Sequence, residues 1–444
     1  MTTNLSAEMR ADLHDHVRAW YREHGAAETL EAAELLAVEV GRAAAECAFE
    51  CGVASCGERA GYRGARQACA CGAAARFVGY RRRWVRGLPG EVPVSRASYH
   101  CPACHRGLAP WDQEQGLSES VFTPHLKARV SEVCGREVYQ EARETLARLA
   151  GVSLAVSSLE DIVGEVGGRL RAAEDARVQA HFAAGHWPEA DPLLPEVVGR
   201  RAYLCVDAAK AHTDGSWHDI KVAAFFPGEV PTAKVAAQRP WDQVGSKRCL
   251  AIQEEADRFG QRVYTFALRL GAERAKELVF LGDGADWIWK LAREQFSDAR
   301  EILDFYHASE HVWEIARVVF GEAEAGKTWA GNCVERLRDD GVKGLLASLA
   351  ELRPHLTPGR RSAVLPEVKY FRRNRKRMAY PQYRAAGMMI GSGPVEAACK
   401  SVVGGRLKGT GMRWSRKGAD AMLAVRAQVL GREYATLARY ARAA

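Results

Sequence analysis

The sequence predicts a multidomain α/β protein, and three observations carry that expectation. It has 444 residues, 47% hydrophobic and 27% charged, which allows two to four domains at about 100–200 residues each. Two close cysteine pairs, Cys69 with Cys71 and Cys101 with Cys104, flank a strand-like hairpin. After about residue 200, apolar strand-like runs alternate with helical ones. No run of about 18 apolar residues occurs, so no membrane span is expected. Residues 1–24 carry Asp12, Asp15 and several histidines and lack the basic start and apolar stretch of a secretory signal. The expected location is therefore the cytoplasm.

Taken in order, residues 30–50 are rich in Ala, Glu and Leu and read as a helix. With the rest of residues 1–66 they form an expected N-terminal helical region. A Gly- and Cys-rich stretch follows to about Gly72. Residues 77–86 and 92–100 read as strands, joined by a turn at Leu88-Pro89-Gly90. Cysteine pairs on both sides of such a hairpin predict a zinc ribbon over 67–112, in which four thiolates hold one structural Zn²⁺ in place of a core. Cys69-x-Cys71 is one residue tighter than the usual spacing. Cys47, Cys51 and Cys56 have no evident fourth ligand and read as ordinary thiols. Cys134, Cys205, Cys249, Cys333 and Cys399 read as small buried apolar residues.

Residues 138–150 have a helical face of Val138, Ala142, Leu146 and Leu149, then a turn at Gly151-Val152-Ser153. Ser157 and Ser158 are candidate caps for a helix containing Leu159, Ile162, Val163 and Val166. This predicts a helix-turn-helix DNA-binding region over 120–184, although the second helix has few basic residues before Arg169 and Arg171. A proline-rich linker is expected over 185–199. Strands then follow at 201–206, ending in Asp207, at 218–226 and at 247–252. A helix at 254–270, a strand at 277–281 ending in Gly282-Asp283-Gly284, a helix at 285–296, a strand at 301–306 and a helix from His307 complete the run. Three opening strands, then strands alternating with helices, fit an RNase H-like core over 200–311 and 385–444, with a helical insertion at 312–384.

The net charge is +8, but its distribution is uneven. Between Lys369 and Lys417 lie 13 Lys or Arg and a single carboxylate, Glu396. Interleaved with Tyr370, Phe371, Tyr380, Tyr383 and Trp414, this stripe predicts a polyanion partner, nucleic acid first. Asp207 and Asp283 each close an apolar run, where α/β sheets place ligand sites. Asp214 and Asp286 read as a turn residue and a helix cap. A lone Glu396 among phosphate-binding cations makes physical sense if a divalent cation lies between it and the phosphate. The bland reading pairs it with Lys400 one helical turn on.

Val-Asp207, Gly-Asp283-Gly, Asp304-Phe-Tyr-His307, and Gly391-Ser-Gly-Pro-Val-Glu396 followed by Arg406-Leu-Lys408 and Gly-Met-Arg413-Trp414 together resemble the ISKra-type insertion-sequence DDE transposases, relatives of the Mutator group. The resemblance covers most of the chain. It implies a Mg²⁺ (or Mn²⁺) triad of Asp207, Asp283 and Glu396, separated by 76 and 113 residues, with His307 positioning DNA or assisting the leaving group. It further implies duplex DNA as partner, both terminal inverted repeats and target, with at least a homodimer on DNA in the bacterial cytoplasm and nucleoid. Lys400, Arg406, Lys408, Arg413, Trp414, Arg416 and Lys417 are the expected DNA contacts. Two other readings stay open: a non-catalytic DNA-binding regulator and an RNase H-like nuclease that cuts without joining.

Overall fold

The computed structural model describes residues 6–24, 27, 29–117, 120–185, 193–228 and 246–442. Part of the expected linker, 186–192, lies outside them. The fold is a mixed α/β arrangement with two sheets. The described residues form two compact units. One runs to Leu126 and includes Arg148–Val152 and Arg442; the other comprises Lys127–Ala147 and Ser153–Ala441.

The first unit opens with α1 (Ala7–His24), which buries no residue, and α2 (Leu30–Gly57). Thr29 caps α2, its hydroxyl accepting from Ala32 N–H at 3.1 Å. The helix runs past the expected end at residue 50. Phe49, Val53 and Cys56 form an apolar face that packs on Val92, Val94 and Trp111, so burial overrides the glycines. A four-stranded antiparallel sheet follows: β1 (Arg66–Ala68), β2 (Ala74–Arg86), β3 (Glu91–His100) and β4 (Gly107–Leu108), in that spatial order. The β2–β3 hairpin pairs Val85 with Val92 and Phe77 with Tyr99, and its turn closes with Gly87 N–H donating to Gly90 O at 2.8 Å. In the short helix α3 (Pro110–Glu114), Asp112 is buried and binds Arg83 at 2.5 Å and Arg96 at 2.8 Å. The paired guanidiniums compensate the buried carboxylate. The expected helical region and zinc-ribbon hairpin therefore share one unit, because α2 covers a face of the small sheet.

The second unit begins within α4 (Pro124–Cys134), includes α5 (Tyr139–Ala150) up to Ala147, and resumes before α6 (Val156–Ala184). Ala155, not a serine, is at the N-cap, and Ser157 and Ser158 lie inside the first turn. The periodic residues Leu159, Ile162, Val163 and Val166 are buried together with Leu170 and Val178. Of the expected helix-turn-helix region, Lys127–Ala147 and all from Ser153 on belong to this unit, where its second helix spends its apolar face on packing.

The main sheet has five strands: β5 (Arg201–Thr213), β6 (Ser216–Gly228), β7 (Arg248–Ile252), β8 (Glu277–Gly282) and β9 (Arg300–Leu303), with α7 (Ala256–Arg269) and α8 (Asp286–Gln295) between them. Their spatial order is β7-β6-β5-β8-β9, which numbered by appearance is 3-2-1-4-5. The first three are antiparallel neighbours, and β8 and β9 run parallel to β5. Beyond the sheet come α9 (Phe305–Phe320), α10 (Glu324–Leu352), α11 (Pro358–Asn374), α12 (Tyr380–Ala385) and α13 (Gly393–Ala398). A π-helical turn (Cys399–Gly404), α14 (Gly405–Leu407), α15 (Arg416–Leu430) and α16 (Tyr434–Ala441) end the chain. The helix expected from residue 307 starts at Phe305, because Asp304 caps it. Asp286 is the first residue of α8 rather than its cap; the N-cap is Ala285. Among the described residues no helix is long and apolar enough to cross a membrane.

Candidate active site, metal centre and nucleic-acid interface

β5 does not stop at Asp207, as its apolar run suggests, but continues antiparallel to β6 as far as Thr213. The pairing that stops is the parallel one: β8 accompanies β5 only to Cys205 opposite Leu281. Asp207 thus stands just beyond the carboxyl end of the parallel ladder, and Asp283 follows the last residue of β8. Side chains alternate along a strand, so Asp207 shares a face with Tyr203 and Cys205. That face meets the segment leading to Glu396: Met389 N–H donates to Tyr203 Oη at 3.0 Å, and Cys399 Sγ lies 3.6 Å from Asp207 Oδ2.

Each carboxylate is held locally. Ala208 N–H donates to Asp207 Oδ1 at 2.6 Å, Ala285 N–H to Asp283 Oδ1 at 2.8 Å, and Ser392 Oγ lies 3.4 Å from Glu396 Oε1. Asp207 and Asp283 are half-buried and Glu396 is exposed. Burial pushes the Asp207 carboxyl up, the Ala208 N–H pulls it partly back, and the charges of Asp283 and Glu396 push it up again. Asp207 therefore feels the charge of both other acids across the 76- and 113-residue gaps. The three acids are not drawn as tight as the four thiols of the first unit. Glu396 makes no ion pair with Lys400, so the helix-partner reading has no contact behind it among the described residues.

Asp304 and Tyr370 support this arrangement. The Asp304 carboxylate is fully buried. It accepts from His307 N–H at 2.7 Å, capping α9, and from Ser392 N–H, which anchors the start of the Glu396 segment. Its own N–H donates to Gly282 O at 2.9 Å, beside Asp283. Tyr370, on α11, donates its hydroxyl to Asp283 O at 2.8 Å. Burial, with Asp283 and Asp304 adding their charge, pushes the phenol up, so it stays protonated as a donor. His311 stacks on Tyr370 at 3.8 Å and is bonded to Glu367. His307 is half-buried, with Nδ1 3.2 Å from Glu310. Sequence reasoning missed Tyr370 and Cys399. Tyr370 read as one more aromatic in a basic stripe, and Cys399 as a core thiol.

The basic stripe separates into parts with different roles. Arg373 pairs with Asp286, Arg377 with Glu301 and Arg384 with Asp339. Tyr370, Phe371, Tyr380 and Tyr383 are buried. Lys400, Lys408, Arg413 and Lys417 are exposed and make no ion pair among the described residues, and Arg416 is exposed with one N–H on Gln253 O at 2.9 Å. Arg406 corrects the expectation for an outward phosphate contact: it is 2% exposed and lies against the rings of Tyr139 and Trp414, at 4.6 and 4.9 Å. Trp414 is half-buried.

In the first unit, Cys69, Cys71, Cys101 and Cys104 bring their sulfurs within 4.8 Å of one another. Cys69 and Cys104 are 3.5 Å apart, Cys71 and Cys101 3.6 Å. Tetrahedral Zn–S bonds of about 2.3 Å imply S···S separations near 3.8 Å. Backbone N–H groups of Cys104 and Ala103 pull the Cys101 thiol down, while at Cys104 the Arg106 N–H is outweighed by burial and the three neighbouring thiols, which push that thiol up, so the four sulfurs share their charge unevenly. These four cysteines could hold a structural metal such as zinc. On β2 nearby, Arg76, Arg81, Arg82 and Trp84 are exposed, with Arg82 5.1 Å over the Trp84 ring. No family model and no curated protein matches the chain.

Proposed function

We propose that this protein is a DNA transposase that cleaves the ends of a mobile element and joins them to target DNA. The observation that carries the reading is that Asp207 and Asp283 lie at the carboxyl end of the parallel ladder of the adjacent strands β5 and β8, with the Glu396 segment packed on Asp207 through Cys399. The 3-2-1-4-5 strand order supports an RNase H-like core, with one acid on the first strand, one after the fourth and one on a later helix. Carboxylates brought to one end of a sheet are the oxygen donors that a hard divalent cation takes. Held by these three residues, Mg²⁺ or Mn²⁺ would supply the positive charge that neutralises a phosphodiester and acidifies the attacking water or 3′-OH.

The chain's own residues then have defined tasks. Ala208 and Ala285 N–H groups and the Cys399 thiol orient the Asp207 and Asp283 carboxylates. Asp304 and Tyr370 fix the loops that present Asp283 and Glu396, and positioning of this kind supplies much of phosphoryl-transfer catalysis. Lys400, Lys408, Arg413, Arg416 and Lys417 draw the DNA backbone towards the acids. His307 positions DNA beside Asp283. The outward face of β2 offers a second basic surface for element ends. Two ends must meet for joining, so the active form is at least a homodimer on DNA.

The test uses duplex oligonucleotides copied from the DNA flanking the gene, incubated with protein, Mg²⁺ and a target plasmid. The expected products are ends carrying 3′-OH and then covalent joints to the plasmid. A protein that neither nicks nor joins these duplexes ends the proposal. Nicks without joints would leave a nuclease.

A further inference from the structure

We infer that the cavity around Arg406 is a phosphate-binding pocket, which, if the protein is a transposase, takes one backbone phosphate of the bound DNA. The cavity has a volume of about 430 Å³ and is lined by Tyr139, Glu160, Arg406, Met412, Arg413 and Trp414, among others. That is more than one phosphate fills, leaving room for the flanking sugars.

The argument starts from an unbalanced charge. Arg406 is buried, and burying a guanidinium without a counter-ion is costly. Its Nε and Nη2 carry no hydrogen bond, and Nη1 meets only Met412 Sδ at 3.8 Å. Nε and Nη2 form the side-on fork that matches two oxygens of a phosphate or carboxylate. The tryptophan on the same wall repeats the pattern, because Trp414 Nε1–H is also buried without an acceptor. A second arginine adds to the imbalance. Arg426 is 4% exposed, donates to the carbonyls of Val402 at 2.9 Å and Gly135 at 2.5 Å, and has no carboxylate partner among the described residues. Burial and the neighbouring Arg406 pull its guanidinium down to about 10. The same wall includes Ser415 and Gly418 at the N-terminus of α15, a further source of positive potential. Opposing charge comes from Glu160 and Glu141, both exposed, and from Asp214, whose carboxylate accepts Arg416 N–H at 3.1 Å.

The pocket also has a defined place. Thr213 bridges to Trp414, and Asp214 N–H donates to Trp414 O at 2.9 Å. From Asp207 to Thr213 the strand advances roughly 20 Å at about 3.3 Å per residue. That corresponds to roughly six base-pair steps at about 3.4 Å each. The pocket would thus grip the backbone within one turn of the cut and set which phosphate meets the carboxylates.

Inorganic phosphate is the probe, titrated into the intact protein and followed by ³¹P line broadening and calorimetry. Saturable binding is expected, weakened about tenfold by Arg406→Lys, which keeps charge but loses the fork, weakened by Trp414→Phe and tightened by Glu160→Gln. If Arg406→Lys does not fold, the other two variants decide. No saturable binding, or binding that neither Trp414→Phe nor Glu160→Gln alters, overturns the inference. So does guanosine occupying the pocket in place of phosphate, since its O6 and N7 also suit an arginine fork. Salt-dependent DNA binding without phosphate binding sinks the pocket and leaves the transposase reading. Phosphate binding by a protein that neither binds nor cuts duplex DNA does the reverse.

Discussion

Two buried charged residues, Asp304 and Arg406, separate what a sequence says about a side chain from what its surroundings make of it. Arg406 read as a DNA contact in a basic stripe, and Asp304 stood in a motif whose expected role fell to His307. Asp304 closes α9 and ties down the Glu396 segment with two backbone amides. Asp304→Ala should therefore leave both donors unpaired and lower stability by about 2–4 kcal/mol, read as a shift of the urea midpoint. An unchanged midpoint would mean that the amides find water. Tyr370→Phe removes one hydroxyl and keeps the ring, so it should lower stability by only about 1 kcal/mol but slow cleavage more than it weakens DNA binding. Equal losses in both would place Tyr370 in general packing. Glu396 stood out in the sequence because it is the single acid among 13 cations. The role of Tyr370 did not, since its partner lies 87 residues away and aromatic residues in a basic run look alike whether buried or exposed.

At the scale of elements, strands were read better than helix ends. The run 201–206 announced β5, but the polar continuation to Thr213 did not, because it is pairing with β6 rather than apolar burial that extends the strand. α2 continued through glycines and cysteines because its far end has a sheet to cover. The helix-turn-helix pattern was a true description of local periodicity whose apolar side serves packing against α15. At Gly167 a Cβ would sit 2.2 Å from Ala421 O. Gly167→Ala should therefore force these helices apart and lower stability by about 1–3 kcal/mol; an unperturbed thermal midpoint would show that they do not touch. The cysteine pairs were the most legible element. Purified protein should carry one zinc ion per chain, absent from the Cys101→Ala, Cys104→Ala double variant. Elemental analysis that finds none in the wild type removes the metal from β1–β4.

For the whole molecule, the charge asymmetry pointed to a polyanion, but the count overstated the surface. Arg406 is buried and Arg373, Arg377 and Arg384 are paired, which leaves two exposed basic groups: Lys369, Arg372, Arg375 and Lys376 on and after α11, and Lys400, Lys408, Arg413, Arg416 and Lys417 around α13–α15. Sequence gives charge without exposure, and only packing separates the two. DNA affinity should fall steeply with salt, and Lys408→Ala with Arg413→Ala should lessen the slope of log affinity against log salt by about 0.9 for each phosphate no longer neutralised. A slope unchanged in the double variant would make this face a solvated surface. The measurement closest to the central claim is cleavage and joining of the element's ends by Glu396→Gln in Mg²⁺, run beside DNA binding by the same preparation. Gln keeps the shape and removes the charge that would hold the cation, along with the one acid in a basic field. The account predicts that cutting and joining are abolished while DNA is bound as tightly or more tightly. A Glu396→Gln protein that cleaves at a near wild-type rate would contradict it.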